Sequence, residues 1–330
     1  MHERIKFYKH LMNGFSYMLP FVVAGGLLIA LSSLSFWGQT FPYLNEVGEL
    51  VLSYTFPVLA GWIAFSIADR PGIVVGVAAG GLALLGDSGF IGAIIGGFTA
   101  GYLMELIKWM HQKLPRSFNS MKPILIYPFL GVLFISLMMI GINWIISPLS
   151  LWLEQQIVLM DGVILLITAS LLGGLMAVDM GGPINKLAYL VGVISIVHDH
   201  SSVLMASIMA AGMIPPLALA LALTIFKKEF SETEYKVRKN LAVTGLSFIT
   251  EGAMPFVKTY QKRVHVPIII GSLLAAMVCA MFQTTVPAPH GGIFVIFLMT
   301  NWWGFLIALA SGSLISVLLI KIFFILGREA

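Results

Sequence analysis

Charge is what this chain has least of. Asp, Glu, Lys and Arg together make up 10% of its 330 residues, against about 25% in an ordinary soluble domain. So few charged side chains cannot cover a water-facing surface, and a water-soluble globular fold is excluded. Cysteine is nearly absent as well. The single Cys279 stands inside the apolar run 273–281, which rules out an intrachain disulfide and a cysteine-built metal site. Cys279 itself is expected to be a small buried residue. Also missing are a Walker-type phosphate loop, a nucleophile elbow and a glycosidase-like carboxylate pair. No residue stands where it could carry a phosphoryl group, so phosphorylation of a ligand would fall to another protein. No metal or other cofactor is implied.

What is present is apolar. Hydrophobic residues make up 58% of the chain and the mean hydropathy is +0.95. A bilayer core of about 30 Å needs roughly 20 apolar residues per helix. The runs 14–37, 51–68, 89–107, 123–146, 158–178, 203–226, 266–281 and 302–326 approach or exceed that length, while 71–85 is apolar but short and glycine-rich. The expected fold class is an all-α polytopic membrane protein with roughly eight to ten transmembrane helices. The first run follows Arg4, Lys6 and Lys9 and is too long for a cleavable signal, so it is expected to remain as a span. The small-residue spacings Gly92/Gly96 and Gly97/Gly101 predict ordinary close helix packing.

The net charge of +4 speaks of topology rather than nucleic acid, because the basic residues cluster between apolar runs. Arg4, Lys6 and Lys9 put the N-terminus in the cytoplasm. The connections 38–49 and 147–156 lack Lys and Arg and are expected outside. Lys108, Lys113, Arg116 and Lys122 are expected inside. So are the segment 227–239, with Lys227, Lys228, Lys236, Arg238 and Lys239, and the C-terminal end with Lys321 and Arg328.

Three stretches defy simple span counting. Residues 179–202 are interrupted by Gly181, Gly182, Pro183, Asn185 and Lys186. Residues 240–256 are too short to cross and carry Glu251. Residues 284–292 hold Pro287, Pro289, His290, Gly291 and Gly292. Broken backbone at membrane depth survives only where protein or a watery cavity covers it, and such breaks mark transporter substrate sites. The first two are read as re-entrant hairpins and the third as a broken helix. All lie beyond the linker 112–122. The expected division is therefore a scaffold or dimerisation part over 1–122 and a transport part over 123–330.

Glu251, after Thr250 in a TEGAMPF run, is the sharpest candidate. A carboxylate in an apolar segment costs about 2.5–3.5 kcal/mol on insertion scales, and it can accept two sugar hydroxyls side by side. The competing reading is a structural pair with a cation such as Lys258. Gly181 and Gly182 let the chain bend and approach a ligand, and Asn185 offers both a donor and an acceptor. Asp179 and Lys186 either contact ligand or neutralise each other. His290, flanked by breakers, is either a satisfied structural histidine or part of the site. Asp69-Arg70-Pro71-Gly72 predicts a short cytoplasmic turn, with gating or partner docking as the sharper reading. His198-Asp199-His200 looks metal-like, but three ligands in one tripeptide fit metal geometry poorly.

At these residues the chain resembles the fructose-specific family of bacterial phosphotransferase-system IIC permeases. The resemblance runs through residues 10–27, 67–72, 121–128, 179–186, 249–256 and 289–292, in order. It implies a homodimer in the bacterial inner membrane, with an N-terminal dimerising part and a C-terminal transport part. Fructose or a related hexose would sit between two hairpins, on Glu251 in the second and beside Gly181, Gly182 and Asn185 of the first. A IIB domain would phosphorylate the sugar, supplied in turn by a IIA domain. No IIA or IIB region is recognised in these residues, so both partners are expected as separate components. Two other classes compete. One is an ion-coupled secondary transporter using Asp179, Glu251 and His290 as a proton relay. The other is a membrane-embedded enzyme with Glu251 and His290 as acid and base.

Overall fold

The apolar runs are predominantly helical over the described residues of the computed structural model, which are 2–32, 41–110, 121–199 and 201–326. Among the described residues there is no strand beyond two isolated bridges. Among the described residues seven helical stretches are long and apolar enough to cross a membrane, and three shorter apolar helices accompany them. The all-α polytopic class expected from hydropathy is the observed one. The chain divides into two compact units, Met1–Gln156 and Ile157–Ala330, one long helix beyond the 122/123 boundary drawn from the linker. The His198–His200 side chains, the linker residues 112–120, residues 38–40 and Arg328 lie outside the described residues.

Unit 1 contains α1 (His2–Ser32), α2 (Pro42–Ser53), α3 (Thr55–Ala68), α4 (Arg70–Leu85), α5 (Gly89–Met110) and α6 (Tyr127–Val158), the last entered through a π-turn at Lys122–Ile126. The glycine-rich stretch 71–85 is a helix because its glycines are spent on packing. A Cβ on Gly72 would lie 2.5 Å from the Ala64 carbonyl oxygen, one on Gly76 equally close to that of Ala60, and one on Gly80 would strike Phe56. The i, i+4, i+8 stripe thus lets α4 run antiparallel against the backbone of α3, which is small-residue packing in lipid. Gly97 and Gly101 of α5 meet the same helix at Ala60 and Ala64. Gly76→Val should lower the thermal unfolding midpoint of the purified protein, with a cost of about 1–3 kcal/mol typical of overpacking. An unchanged midpoint would contradict this packing.

Three local expectations are corrected here. The 69–72 turn is shorter than the sequence implied: Asp69 alone adopts a left-handed φ of 59°, Pro71 opens α4 and Gly72 packs on α3. The run 51–68 is broken at Tyr54, with α2 beginning earlier at Pro42. The connection 147–156 is no loop but the continuation of α6. There Ser147 donates to the Gly86 carbonyl and Ser150 to that of Ser88, at 2.8 Å. Asn143 receives the Ser88 hydroxyl at 2.7 Å and donates to the Leu82 carbonyl at 2.9 Å. These bonds bind α6 to the α4–α5 turn and hold it helical past Pro148.

Unit 2 contains α7 (Gly162–Val178), α8 (Pro183–Asp199), α9 (Val203–Ile225), α10 (Glu232–Lys236), α11 (Arg238–Leu246), α12 (Met254–Tyr260), α13 (Lys262–Met281) and α14 (Trp302–Leu326). The expected span 158–178 starts only at Gly162, since Asp161 is extended and Gly162 has a φ of 49°. α9 is buried along nearly its whole length and forms the core. α13 packs between α7, α9 and α14. Small polar side chains tie these helices through their neighbours' carbonyls: Ser272 to Ala211 at 3.0 Å, Ser170 to Leu273 at 3.1 Å, Ser316 to Pro267 at 3.2 Å. Cys279 is fully buried, as its apolar run implied.

Candidate functional site where two hairpin tips meet

The segment 179–202 supplies the tip and only the second arm, α8, of a helical hairpin; the first arm is α7, within the run 158–178 that was expected from the sequence as a full span. Both feet reach the same end of unit 2, because Asp161, Ser195, Ser202 and Thr285 line one cavity of about 300 Å³. Each arm has 17 residues, or about 25 Å at 1.5 Å per residue, short of a full bilayer core. The tip is Asp179–Gly182, and it is pinned from both sides. Asp179 accepts the backbone N–H of Ile184 at 2.7 Å and of Asn185 at 2.9 Å, satisfying donors that open α8. Asn185 donates its side-chain amide to the Met176 carbonyl at 2.7 Å. His265 of α13 faces the next two carbonyls of α7, with Nε2 3.1 Å from Ala177 O and 2.8 Å from Val178 O. The ring must carry its proton on Nε2 to donate there. Buried helix ends need such partners. His265→Ala should therefore cost about 1–3 kcal/mol, the penalty for stranding buried polar groups, read as a lower unfolding midpoint.

The second hairpin enters from the other end. Its arms are α11 and α12, far too short to cross, and its tip is Phe248–Ala253. The feet are held together where the Tyr260 hydroxyl donates to Glu234 at 2.9 Å and the Phe230 and Tyr260 rings meet at 5.5 Å. Ser231 and Glu234 form a reciprocal capping box at the start of α10. At the tip, Phe248 takes a left-handed φ of 63° and Thr250 donates to the Gly212 carbonyl of α9 at 2.9 Å.

The two tips touch at Gly181 and Glu251. Gly181 has a φ of 103°, and a Cβ there would lie 2.5 Å from Glu251 Cγ and 2.6 Å from Oε1. Lys186 completes the contact: its ammonium donates to the Gly181 carbonyl at 2.5 Å and stands 3.9 Å from Glu251 Oε1. The Lys186 side chain is 7% exposed and that of Glu251 is 52% exposed, so the carboxylate is the open end of the pair. The third broken stretch closes the cluster from the side. Gly292, at a φ of 58°, lies against Leu246 and Phe248. The His290 ring is 5.0 Å from Phe248 and 6.3 Å from Tyr189, and its Nδ1 accepts the Gly291 N–H at 2.8 Å. All three interrupted stretches therefore converge on one place: a half-open carboxylate, a positive-φ glycine, a buried ammonium and an aromatic wall. Convergent polar groups beside aromatic side chains are the make-up of a small-molecule site.

The sequence pattern of the family described as Phosphotransferase system, EIIC matches residues 12–261. This chain belongs to that family. The fructose-specific EIIABC component of Bacillus subtilis is 38% identical over 330 residues, covering 96% of this chain and 52% of that protein. The fructose-specific EIIB'BC component of Escherichia coli is 41% identical over 325 residues, covering 94% and 56%. The fructose permease IIC component of Bacillus amyloliquefaciens is 38% identical over 281 residues, covering 84% and 92%. The EIIC chain thus spans about half the length of several curated relatives it matches. No solved structure gives a significant match.

Within this EIIC chain the seven residues singled out from sequence fall into two groups. Glu251, Gly181 and Gly182 lie at the tips, and His290 lies against them through Phe248 and Tyr189. Asp179, Asn185 and Thr250 are there too, but their side chains hold backbone: both Asp179 oxygens, the Asn185 amide and the Thr250 hydroxyl are engaged. Two sequence readings are corrected. The ion-pair contact of Lys186 is with Glu251, at 3.9 Å, rather than with Asp179, and Glu251 meets Lys186 rather than Lys258. With its oxygens committed to α8, Asp179 is also unsuited to a proton relay. Sequence reasoning passed over Tyr189, whose buried hydroxyl has no hydrogen-bond partner, and His265. Tyr189 was readable in principle, lying three and four residues after Lys186 and Asn185 on one helix face. His265 carried no signal, since its partners come from a distant helix.

Proposed function

We propose that this chain is the membrane permease part of a fructose-type phosphotransferase system, binding the sugar at the meeting point of the two hairpin tips. The observation that carries the reading is Glu251: a half-exposed carboxylate held against Gly181, with Lys186 behind it, in a chain of the EIIC family. A carboxylate so placed accepts two neighbouring sugar hydroxyls, with the buried Lys186 ammonium 3.9 Å behind it. Fructose is favoured because the relatives are named for it. The IIB component phosphorylates the bound sugar and is recharged by IIA. The functional division is a scaffold and dimerising N-terminal part, a transporting C-terminal part and a homodimeric assembly, with both termini in the cytoplasm by the distribution of Lys and Arg. The secondary-transporter alternative is disfavoured, since Asp179 is engaged in capping α8.

The test is uptake of labelled fructose into vesicles with and without phosphorylated IIB. The expected result is sugar phosphate accumulating only with the charged partner. Unmodified fructose accumulating without it, and collapsing with an uncoupler, would overturn the proposal.

A further inference from the structure

We propose that unit 2 binds an anionic phospholipid in the groove between α9, α11 and α14. The groove has a volume of about 490 Å³, with walls of Leu217, Leu221, Leu246, Leu306 and Leu309, and Arg238 and Lys239 beside Thr224 at one end. Its direction follows from the helices. Gly245 of α11 packs on Leu217 of α9, and Arg238 begins α11 while Thr224 lies in the last turn of α9. The two cations therefore mark the mouth, and Leu246 lies about 12 Å deeper at the helical rise. This is the end of the unit where Lys321 pairs with Glu229 at 2.8 Å and Phe324 meets Phe230, beside the segment 227–239 that the charge distribution assigns to the cytoplasmic side.

The mouth keeps its positive charge. Arg238 lies 3.9 Å over the Tyr235 ring and gives one N–H to the Tyr235 carbonyl at 3.0 Å, which fixes its position and leaves donors of the planar fork unspent. Neither Arg238 nor Lys239 has a carboxylate partner among the described residues, and no acidic residue lines the groove. Two cations at the rim and hydrocarbon-like walls below fit one ligand chemistry: a phosphate head with an acyl tail. Basic pockets between membrane helices bind such headgroups, and guanidinium and ammonium groups suit phosphate oxygens. A sugar would waste its hydroxyls on these walls.

The experiment compares the purified chain with phosphatidylglycerol, with phosphatidylcholine and with inorganic phosphate, reading lipid retention by native mass spectrometry and the unfolding midpoint. Phosphatidylglycerol should be retained and should raise the midpoint, while the other two should not. The double variant Arg238→Gln/Lys239→Gln should lose about 25-fold in phosphatidylglycerol affinity, about fivefold per cation, with its lipid-free midpoint unchanged. Ala310→Phe, which fills the groove and leaves both cations, should lose the lipid as well and guards against a double variant that fails to fold. Equal retention by both variants and wild type would overturn the proposal. So would equal stabilisation by phosphatidylcholine, or by inorganic phosphate. Self-association that responds to Ala310→Phe but not to lipid would assign the groove to a second copy and overturn it too.

Discussion

Replacing Glu251 with glutamine is expected to weaken fructose binding by about 10- to 100-fold while leaving the helices in the membrane. The size follows from the chemistry: hydrogen bonds to a charged group are worth about 1.5–3 kcal/mol, and about 1.4 kcal/mol is a factor of ten. Glutamine keeps the length and the shape against Gly181 but offers one acceptor oxygen instead of two, and turns a donor toward the sugar. It also removes the charge facing Lys186, whose ammonium stays bonded to the Gly181 carbonyl, so the tip should hold. Equilibrium binding of labelled fructose to the purified variant checks this, with the unfolding midpoint as the control. Undiminished binding at an unchanged midpoint would remove Glu251 from the site.

Gly181→Ala is expected to be nearly as damaging through a different route. The residue would have to keep a φ of 103°, a region an L-residue enters at a cost of about 1–3 kcal/mol. Its new methyl would also fall on Glu251 Cγ and Oε1. The tips must then separate, so fructose binding should drop about tenfold or more, with a lowered unfolding midpoint. The pair should be coupled. Because the alanine acts by displacing the Glu251 side chain, Gly181→Ala on top of Glu251→Gln should cost clearly less binding than the sum of the two. Full additivity in the double variant would mean the glycine and the carboxylate serve separate purposes. Gly182→Ala gives a useful contrast, because its methyl would strike Asp179 rather than Glu251 and should act through the start of α8.

The chemistry of the cluster was legible in the sequence because breaks and charges in apolar segments are conspicuous. Glu251, the Gly181-Gly182 bend and His290 stand out in runs where only apolar residues belong, and all three stretches meet in the folded unit. Their partners were not legible. Lys186 has carboxylates available at Asp179 and Glu251, and spacing alone cannot choose between them. Asp179 turned out to be a cap because the chain bends through Gly181 and Gly182 and brings its own helix start back onto the carboxylate. The boundaries at Tyr54 and Asp161 were hidden for the opposite reason: apolar residues continue across both, and hydropathy carries no record of a local change in backbone angle.

Read alone, the amino-acid order establishes a bundle of lipid-embedded helices, the three polar interruptions of unit 2 and which residues there are chemically unusual. Composition and segment length suffice for that, since a bilayer tolerates little else. That the two hairpins come from opposite ends and touch tip to tip is visible only once the helices have packed. The packed fold alone assigns which polar groups hold backbone and which one carboxylate is left open. That division depends on hydrogen bonds between segments far apart in the chain, such as Asn185 to Met176, His265 to Ala177 and Val178, and Thr250 to Gly212. A buried polar side chain must find some partner, and its identity is fixed only when the helices have packed.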